Sequence, residues 1–375
     1  MKPQLGALRF PVERSRGRRY AEPPHPYRNA FQRDRDRIVH ARAFRRLEDK
    51  TQVFTASLSD HFRNRLTHTI EVAQIARTAA LALGLDEDLT EALALAHDIG
   101  HAPFAHAGEE ELDRQMSRFG ERFDHNLHAL RIVESFEQRY ARFPGLNLTF
   151  EVREGIAKHS RDFEPGEDPI LDEYLPGLRP PLEAQLIDLA DEIAYNTADL
   201  DDSHSAHFFD IEDVARAVPE FAGLWRRTEA KLPAAPARIR FNEALRALID
   251  MLVTALIEGT REAALASGVR DCGDVRRYPE RLVRLTPAAA GATAALKKYL
   301  WERVYTSEPV AAERAKSTAM IADLFAWYME KPERLPGPYR EQARPAPLHR
   351  LVCDYIAGMT DGFLRRTWEQ ASAGG

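Results

Sequence analysis

The sequence predicts an all-α fold, and three observations support this prediction. Apolar residues recur at helical spacing along most of the chain, whereas alternating runs of β-branched residues are few. Helix-ending residues such as Gly84 and helix-starting residues such as Asp86 stand where this periodicity stops and resumes. The 375 residues are 44% hydrophobic and 29% charged, which is typical of a globular protein with one large core or two domains.

The N-terminal residues 1–28 are rich in arginine and proline and predict an extended basic arm. Its charges include Arg14, Arg16, Arg18 and Arg19. We divide the rest into a core at 29–210, which holds the candidate site residues, and a helical C-terminal region at 211–375, which we expect to complete the pocket of that site and to form oligomer contacts.

Three helices are expected in the first part of this core. A basic amphipathic helix is predicted for residues 34–47, and a second runs over residues 66–83, with Gly84 at the position after its end. Asp86 is placed to cap a third helix, which ends near Gly100.

The next part of the chain predicts helices at 127–140 and 150–159, the latter with Thr149 as its cap. Five prolines between residues 161 and 181 predict a loop, and Pro180 and Pro181 suit the start of the following helix. In the C-terminal region we expect helices at roughly 241–266, 293–305, 310–330 and 346–368.

Composition excludes several classes of protein. The net charge of −6 gives no overall attraction to nucleic acid. The two cysteines, Cys272 and Cys353, form no CxxC motif, so we expect neither a disulfide framework nor a thiolate metal site. No apolar export signal and no run of 18 apolar residues is present, which favours a cytoplasmic protein without membrane contact.

Four potential metal ligands stand in alanine- and leucine-rich surroundings. His68 opens the second predicted helix, the adjacent His97 and Asp98 end the third, and Asp191 lies far along the chain. Such side chains are costly among apolar neighbours unless something pairs them, and one divalent cation pairs them all. Two nitrogen and two oxygen ligands suit manganese, iron, cobalt, zinc or magnesium, and the ligand types alone do not choose among these metals.

The segments around these ligands resemble the HD superfamily of metal-dependent phosphohydrolases, and within it the deoxyguanosine triphosphate triphosphohydrolase family. The resemblance rests first on RLTH at 65–68 and HDIGHAPFAH at 97–106. It extends to AFRRL (43–47), KTQVF (50–54), FDHN (123–126), VREGIAKHS (152–160), ADEIAYN (190–196) and DYIAGMTD (354–361). A lone HD pair is weakly informative, but these blocks in this order are highly specific.

The resemblance implies an HD-domain helical bundle with additional C-terminal helices. It also implies hydrolysis of a deoxynucleoside triphosphate, dGTP or a broader set, to the deoxynucleoside and inorganic triphosphate. The implied cofactor is Mn²⁺ or Mg²⁺, with iron, cobalt and zinc as alternatives, and the implied assembly is a homo-oligomer.

Residue by residue, the resemblance implies that His68, His97, Asp98 and Asp191 bind the metal. His125 matches the family's catalytic histidine and Glu109 its acidic partner, while His101 and His106 match histidines on the phosphate side. Arg46 matches an arginine that contacts phosphate, and Lys158 is a weaker candidate for the same role. Tyr195 and Asp199 match residues that line the sugar; both lie on one helical face with Asp191.

Two alternatives stay open. The same metal site could serve another nucleotide, such as a cyclic nucleotide, guanosine tetraphosphate or a nucleoside monophosphate. The chain could also be a non-catalytic protein that retains the metal site, either as a nucleotide sensor or as a scaffold that binds single-stranded nucleic acid along its basic arm. Arginines near residue 46 and the face at 191–199 favour the triphosphohydrolase over the first alternative.

Overall fold

The computed structural model describes residues 5–52, 62–342 and 346–373. Of the sequence features above, Val53 and Phe54 of the KTQVF motif and the first four residues of the arm lie outside these ranges. The chain is 68% helical, and the described residues contain no β-strand, which confirms the all-α prediction. Among the described helices, none has the length and apolar character required to cross a lipid bilayer.

The described ranges contain 17 α-helices. Their bounds are α1 Ala30–Val39, α2 Arg42–Arg46, α3 Arg65–Leu83, α4 Glu87–Ala96, α5 Ala105–Ser117, α6 His125–Arg131, α7 Phe150–Ala157, α8 Leu182–Ser205, α9 Ile211–Ala217, α10 Pro219–Lys231, α11 Ala237–Ser267, α12 Cys272–Arg277, α13 Pro287–Leu300, α14 Glu308–Glu330, α15 Gly337–Gln342, α16 Leu348–Ala357 and α17 Asp361–Ala373.

The helices form two compact units, each discontinuous in sequence. The first unit comprises residues 1–14, 70–94 and 159–310, and the second comprises residues 15–69, 95–158 and 311–375. These units do not follow the sequential division into an arm, a core and a C-terminal region, and that division stays a prediction.

In the first unit, the 31-residue helix α11 packs against α8, α10 and α13. Its buried leucines recur one turn apart at Leu248, Leu252 and Leu256, so a single apolar stripe faces these partners. In the second unit, α5 packs against α16. Leu112 on α5 and Ile356 on α16 belong to one buried apolar cluster that continues into α14 and α17.

Several predicted helices begin or end elsewhere than expected. The segment 34–47 is not one helix, because the chain is extended at Ala41 and the Glu137 carboxylate accepts the Ala43 N–H at 2.7 Å. Similarly, the prediction of a helix at 127–140 is wrong beyond residue 136. A π-helical turn follows α6, and the chain then folds back so that the Leu146 N–H bonds to the Val133 carbonyl.

The predicted helix at 346–368 is also divided, since α16 ends at Ala357 and α17 begins at Asp361. Thr149 precedes α7 as expected, but its hydroxyl bonds to Asp34 instead of capping the helix. Asp86 does cap α4, through a 2.9 Å bond from the Leu89 N–H, and Gly84 has the expected positive φ of 78°.

Arginines of the predicted arm that lie in the second unit make contacts within that unit. The Arg18 guanidinium lies 2.5 Å from the Asp34 carboxylate and has 8% of its side chain exposed. Arg19 pairs with Glu134 at 3.0 Å, and the Arg16 guanidinium lies over the Phe150 ring at 4.4 Å. Arg18 is therefore occupied by an internal ion pair.

A buried carboxyl in the first unit makes stability depend on pH. One oxygen of Glu183 accepts the N–H groups of Phe10 and Asp86, yet burial raises the pKa of this carboxyl from its ordinary 4.5 to about 6. The folded protein therefore keeps a proton that the unfolded chain has lost between these pH values. The free energy of unfolding consequently falls as pH rises through this interval.

We expect Glu183→Gln to remove this dependence. From pH 5 to pH 8, the unfolding free energy of the variant minus that of the parent protein should rise by about 1 kcal/mol. Urea unfolding at the two pH values measures this gain. Glu212→Gln, at an exposed position on α9, is the matched control and should show no pH-dependent gain. A parallel pH response of parent and Glu183→Gln would contradict the assignment.

Candidate active site

Three of the four predicted metal ligands come together in the second unit. The ligand atoms of His68, His97 and Asp98 all lie within 4.8 Å of one another, and the three residues are 1%, 2% and 3% exposed. His68 is in the first turn of α3, and the other two are in the turn that follows α4. Two imidazole nitrogens and a carboxylate form a donor set suited to a divalent transition metal.

The carboxylate of this cluster is held ionised by its neighbours. Burial acts to raise the pKa of Asp98, but the Arg65 guanidinium and the rings of His97 and His101 outweigh burial and hold this pKa well below its usual range. Arg65 donates to Asp98 at 2.8 Å, and this ion pair is almost completely buried. The sequence analysis did not assign a role to Arg65, although its position one turn before His68 was a signal.

The fourth predicted ligand, Asp191, lies on α8 in the first unit. Within that unit its carboxylate is 3.9 Å from Nε2 of His159, and Nδ1 of the same ring is 2.9 Å from Asp188. Arg281 in turn contacts Asp188. A series of polar contacts therefore runs from Asp191 through His159 and Asp188 to Arg281, and the last three residues had been assigned no role from the sequence.

A second cluster in the second unit joins His101, Glu109 and His125. Nδ1 of His125 is 2.7 Å from Glu109, whose carboxylate also accepts the His125 backbone N–H at 3.1 Å. Burial acts to raise the pKa of Glu109, but the nearby His106 ring and the hydrogen bond from His125 lower it far below its usual range. An ionised Glu109 can only accept, so Nδ1 of His125 carries the proton and Nε2 is the nitrogen available for proton transfer.

The two clusters meet at His101. Its Nε2 lies 2.9 Å from Asp98, and its ring stacks on that of His125 with centroids 4.0 Å apart. Burial lowers the pKa of His101 well below its ordinary value, and the nearby Arg65 and His125 lower it further. His101 is therefore neutral, and the pair of stacked rings does not carry two positive charges.

Close backbone packing sets this geometry. A Cβ atom at Gly100 would lie only 2.0 Å from the His125 carbonyl oxygen, so glycine is required where the loop after Asp98 crosses α6. His128 supports the same residue, because its Nδ1 lies 2.8 Å from the Gly100 carbonyl oxygen. The glycine of HDIGH thus has a steric origin.

The other predicted residues of the second unit differ in exposure. The His106 side chain is 73% exposed, with Nδ1 3.8 Å from Glu109. The Lys158 ammonium is fully buried and 3.1 Å from Glu154. Arg46 donates to the Gly358 carbonyl at 3.0 Å and lines a cavity of about 610 Å³, together with Arg42 and Arg366.

The predicted sugar residues share a contact partner in the first unit. Tyr305 donates its hydroxyl to the Asp199 carboxylate, and its ring stacks near that of Tyr195 with centroids 6.1 Å apart. Burial and the charge of Asp199 raise the pKa of Tyr305 well above its ordinary value, so its proton stays on the hydroxyl. The sequence analysis missed Tyr305, which lies more than 100 residues from Asp199 and in no quoted motif.

Known families match two parts of the chain. The HD domain matches residues 65–196, and the phosphohydrolase-associated domain matches residues 283–370. The matched HD segment includes all four predicted metal ligands.

Curated relatives match nearly the whole chain. A protein of Geobacter sulfurreducens is 44% identical over 350 residues, which are 93% of this chain and 90% of that protein. One from Ralstonia nicotianae is 46% identical, covering 93% and 89%, and one from Caulobacter vibrioides is 43% identical, covering 93% and 92%. Each of the three is named deoxyguanosinetriphosphate triphosphohydrolase-like protein.

Proposed function

Because the chain belongs to the deoxyguanosinetriphosphate triphosphohydrolase-like family of HD-domain proteins, we propose that it hydrolyses a deoxynucleoside triphosphate to the deoxynucleoside and inorganic triphosphate. The observation that carries the proposal is the pair of adjoining clusters in the second unit. His68, His97 and Asp98 form a candidate metal site, and a histidine–carboxylate pair lies next to it through His101. Metal binding and proton transfer are the two functions that this hydrolysis requires.

The metal site takes His68, His97 and Asp98 as ligands, with Asp191 as the fourth on the sequence resemblance. A bound divalent cation, manganese or magnesium in our proposal, would supply Lewis-acid polarisation of an α-phosphate oxygen. Arg65 keeps Asp98 ionised and oriented, so the carboxylate is ready to bind a cation.

Proton transfer is assigned to His125. With Nδ1 bonded to Glu109, its Nε2 exchanges a proton with the attacking water or the leaving 5′ oxygen. Glu109 fixes the tautomer and stabilises the protonated ring when it forms. The neutral His101 donates its single N–H from Nε2 to Asp98 and stacks on His125, so it holds the two clusters together. Its place on the phosphate side follows from the resemblance alone.

A triphosphate brings about four negative charges, more than one divalent cation neutralises. We assign part of this charge to Arg46 and to the exposed His106. Lys158 has the weakest claim to such a contact, because its ammonium is buried against Glu154.

Sugar recognition is assigned to Tyr195 and Asp199. A tyrosine ring against C2′ excludes a 2′-hydroxyl, and the Asp199 carboxylate, oriented by Tyr305, accepts a hydrogen bond from the 3′-hydroxyl. We therefore expect GTP to be hydrolysed at least roughly 100-fold more slowly than dGTP, measured as kcat/KM.

The 3′-hydroxyl contact can be isolated with a second substrate. Asp199→Ala should lower kcat/KM for dGTP about 10- to 100-fold, the value of a hydrogen bond to a charged group. With 2′,3′-dideoxy-GTP, which lacks the 3′-hydroxyl, the same variant should change little. Equal losses on both substrates would assign Asp199 a structural role.

Product analysis tests the reaction itself. Purified protein with Mn²⁺ or Mg²⁺ is incubated with each deoxynucleoside triphosphate, and the phosphate products are separated. We expect inorganic triphosphate and the deoxynucleoside. Turnover of a cyclic nucleotide, guanosine tetraphosphate or a monophosphate in place of the triphosphates would assign the site to another phosphohydrolase reaction. The same panel of substrates measures the base preference. We also propose that the protein acts as a homo-oligomer in the cytoplasm.

A further inference from the structure

The loop that carries His101 is held in an unusual backbone conformation. Phe104 and Ala105, which connect this loop to α5, have φ angles of 60° and 56°. Two consecutive non-glycine residues in the left-handed region are strained and persist only where surrounding contacts fix them. His101 precedes these residues and Glu109 follows them, so their backbone angles set the relation between the two members of the second cluster.

A carboxylate from the C-terminal segment binds this strained position. One oxygen of Asp361, the first residue of α17, accepts the Phe104 N–H at 3.0 Å. The other oxygen accepts the Thr51 N–H at 2.9 Å, so the same side chain ties the loop to the segment that follows α2. Only a side chain with two acceptor oxygens can make both bonds at once.

Lys50 makes a parallel connection. Its buried ammonium donates to the His101 carbonyl at 2.5 Å and to the Ala357 carbonyl at 3.0 Å. The loop is thus held on both sides of Pro103. Before it, Lys50 links the loop to the last residue of α16, and after it, Asp361 links the loop to the first residue of α17. The Phe104 ring adds an apolar contact, since it lies in the buried cluster of the C-terminal helices with the Arg365 guanidinium 5.0 Å above it.

The loop cannot relax toward α5. A Cβ atom at Gly108 would lie 1.8 Å from the Pro103 carbonyl oxygen, so the first turns of α5 already touch the loop backbone. If the hydrogen bonds to Asp361 were lost, the Phe104–Ala105 peptide would be free to leave the left-handed region. Glu109 and His125 would then move relative to His101 and Asp98.

We propose that Asp361 is a positioning residue, which holds residues 101–109 in the strained conformation that aligns the proton-transfer pair with the metal site. The inference rests on the proposed function for its kinetic part. It also gives a role to the segment DYIAGMTD, whose last residue is this aspartate, and to the C-terminal region that the phosphohydrolase-associated domain covers.

The test compares Asp361→Asn with Asp113→Asn in the full-length protein. Asp113 offers a matched control, because its carboxylate also accepts a backbone N–H, that of Phe123 at 2.9 Å, within the same unit. Asparagine keeps the size of the side chain but turns one acceptor into a donor. We expect Asp361→Asn to lower kcat about 10- to 100-fold, with KM and the Kd for Mn²⁺ changed less than about twofold.

Amide hydrogen exchange provides a readout that does not depend on activity. Exchange across residues 101–109 should accelerate at least about tenfold in Asp361→Asn and stay unchanged in Asp113→Asn. A second variant relieves the strain itself, since glycine adopts positive φ without penalty. Adding Ala105→Gly to Asp361→Asn should therefore restore much of kcat. If Asp361→Asn alone folds poorly, the double variant should also regain a thermal unfolding transition close to that of the parent protein.

The outcomes separate the two proposals. Unchanged exchange at 101–109, or full kcat in Asp361→Asn, would overturn the positioning role. If Ala105→Gly lowered kcat further instead of restoring it, the strain argument would likewise be wrong. Absence of triphosphate release by the parent protein would refute the proposed function, yet the exchange data would still decide whether Asp361 holds the loop.

Discussion

Replacing Asp98 with asparagine is expected to abolish metal binding and to lower turnover by at least roughly 10³-fold. The substitution removes the charged oxygen ligand from a three-residue cluster whose other members are histidines. Loss of a Lewis acid costs several kcal/mol of transition-state stabilisation, which corresponds to this decrease in rate. Titration calorimetry with Mn²⁺ and initial rates with dGTP measure the two effects.

The choice of asparagine over alanine follows from Arg65. Asp98→Ala would leave this buried guanidinium without its carboxylate, at a cost of about 3–5 kcal/mol, and instability would then confuse the result. Asparagine keeps an oxygen that can accept from Arg65. Asp34→Asn is the matched control, because Asp34 also forms a buried ion pair in the same unit, with Arg18. This control should bind Mn²⁺ normally, and metal binding by Asp98→Asn would refute the ligand assignment.

His125→Ala is expected to keep metal binding and lose about 10²- to 10⁴-fold in kcat, the usual contribution of a general acid or base. His125 contacts Glu109 and stacks on His101, but it is not among the three clustered ligands. Calorimetry should therefore give a Kd for Mn²⁺ within about twofold of the parent value. His40→Ala, at an exposed position in the same unit, controls for loss of an imidazole.

Glu109→Gln tests the coupling within this pair. Glutamine is neutral and its amide N–H can donate to Nδ1, so it neither fixes the tautomer of His125 nor stabilises the protonated ring. We expect kcat to fall in the same direction. The double variant should lose little more than His125→Ala alone, since both residues act through one proton-transfer step. Full activity in His125→Ala, or additive losses in the double variant, would remove this assignment.

The sequence was sufficient to predict the fold class and the clustering of three candidate metal ligands, His68, His97 and Asp98, because both depend on local patterns. Helical periodicity predicted α3 and α4, which are joined by a short connection at residues 84–86. These two helices bring His68 and the His97–Asp98 pair together. Helix breaks were harder to predict. At Ala41 the break depends on Glu137, nearly 100 residues away, which bonds to the N–H of Ala43.

The parts of the site that the sequence analysis missed are those that depend on distant contacts. Tyr305, in the π-helical turn that follows α13, donates to Asp199 on α8. Asp361 accepts the N–H of Phe104, which lies more than 250 residues before it in the chain. Neither contact follows from spacing, because the fold alone brings these side chains together. Arg65 is the exception, since its place one turn before His68 made a contact with the metal cluster foreseeable.

In the proposed reaction, water attacks the α-phosphorus and the bond to the 5′ oxygen breaks. Hydrolysis of dGTP in H₂¹⁸O, followed by mass spectrometry of the products, tests this claim most directly. We predict one ¹⁸O atom in the inorganic triphosphate and none in deoxyguanosine. Label in deoxyguanosine would place the attack at carbon, and release of labelled pyrophosphate or single phosphates would contradict the proposed reaction.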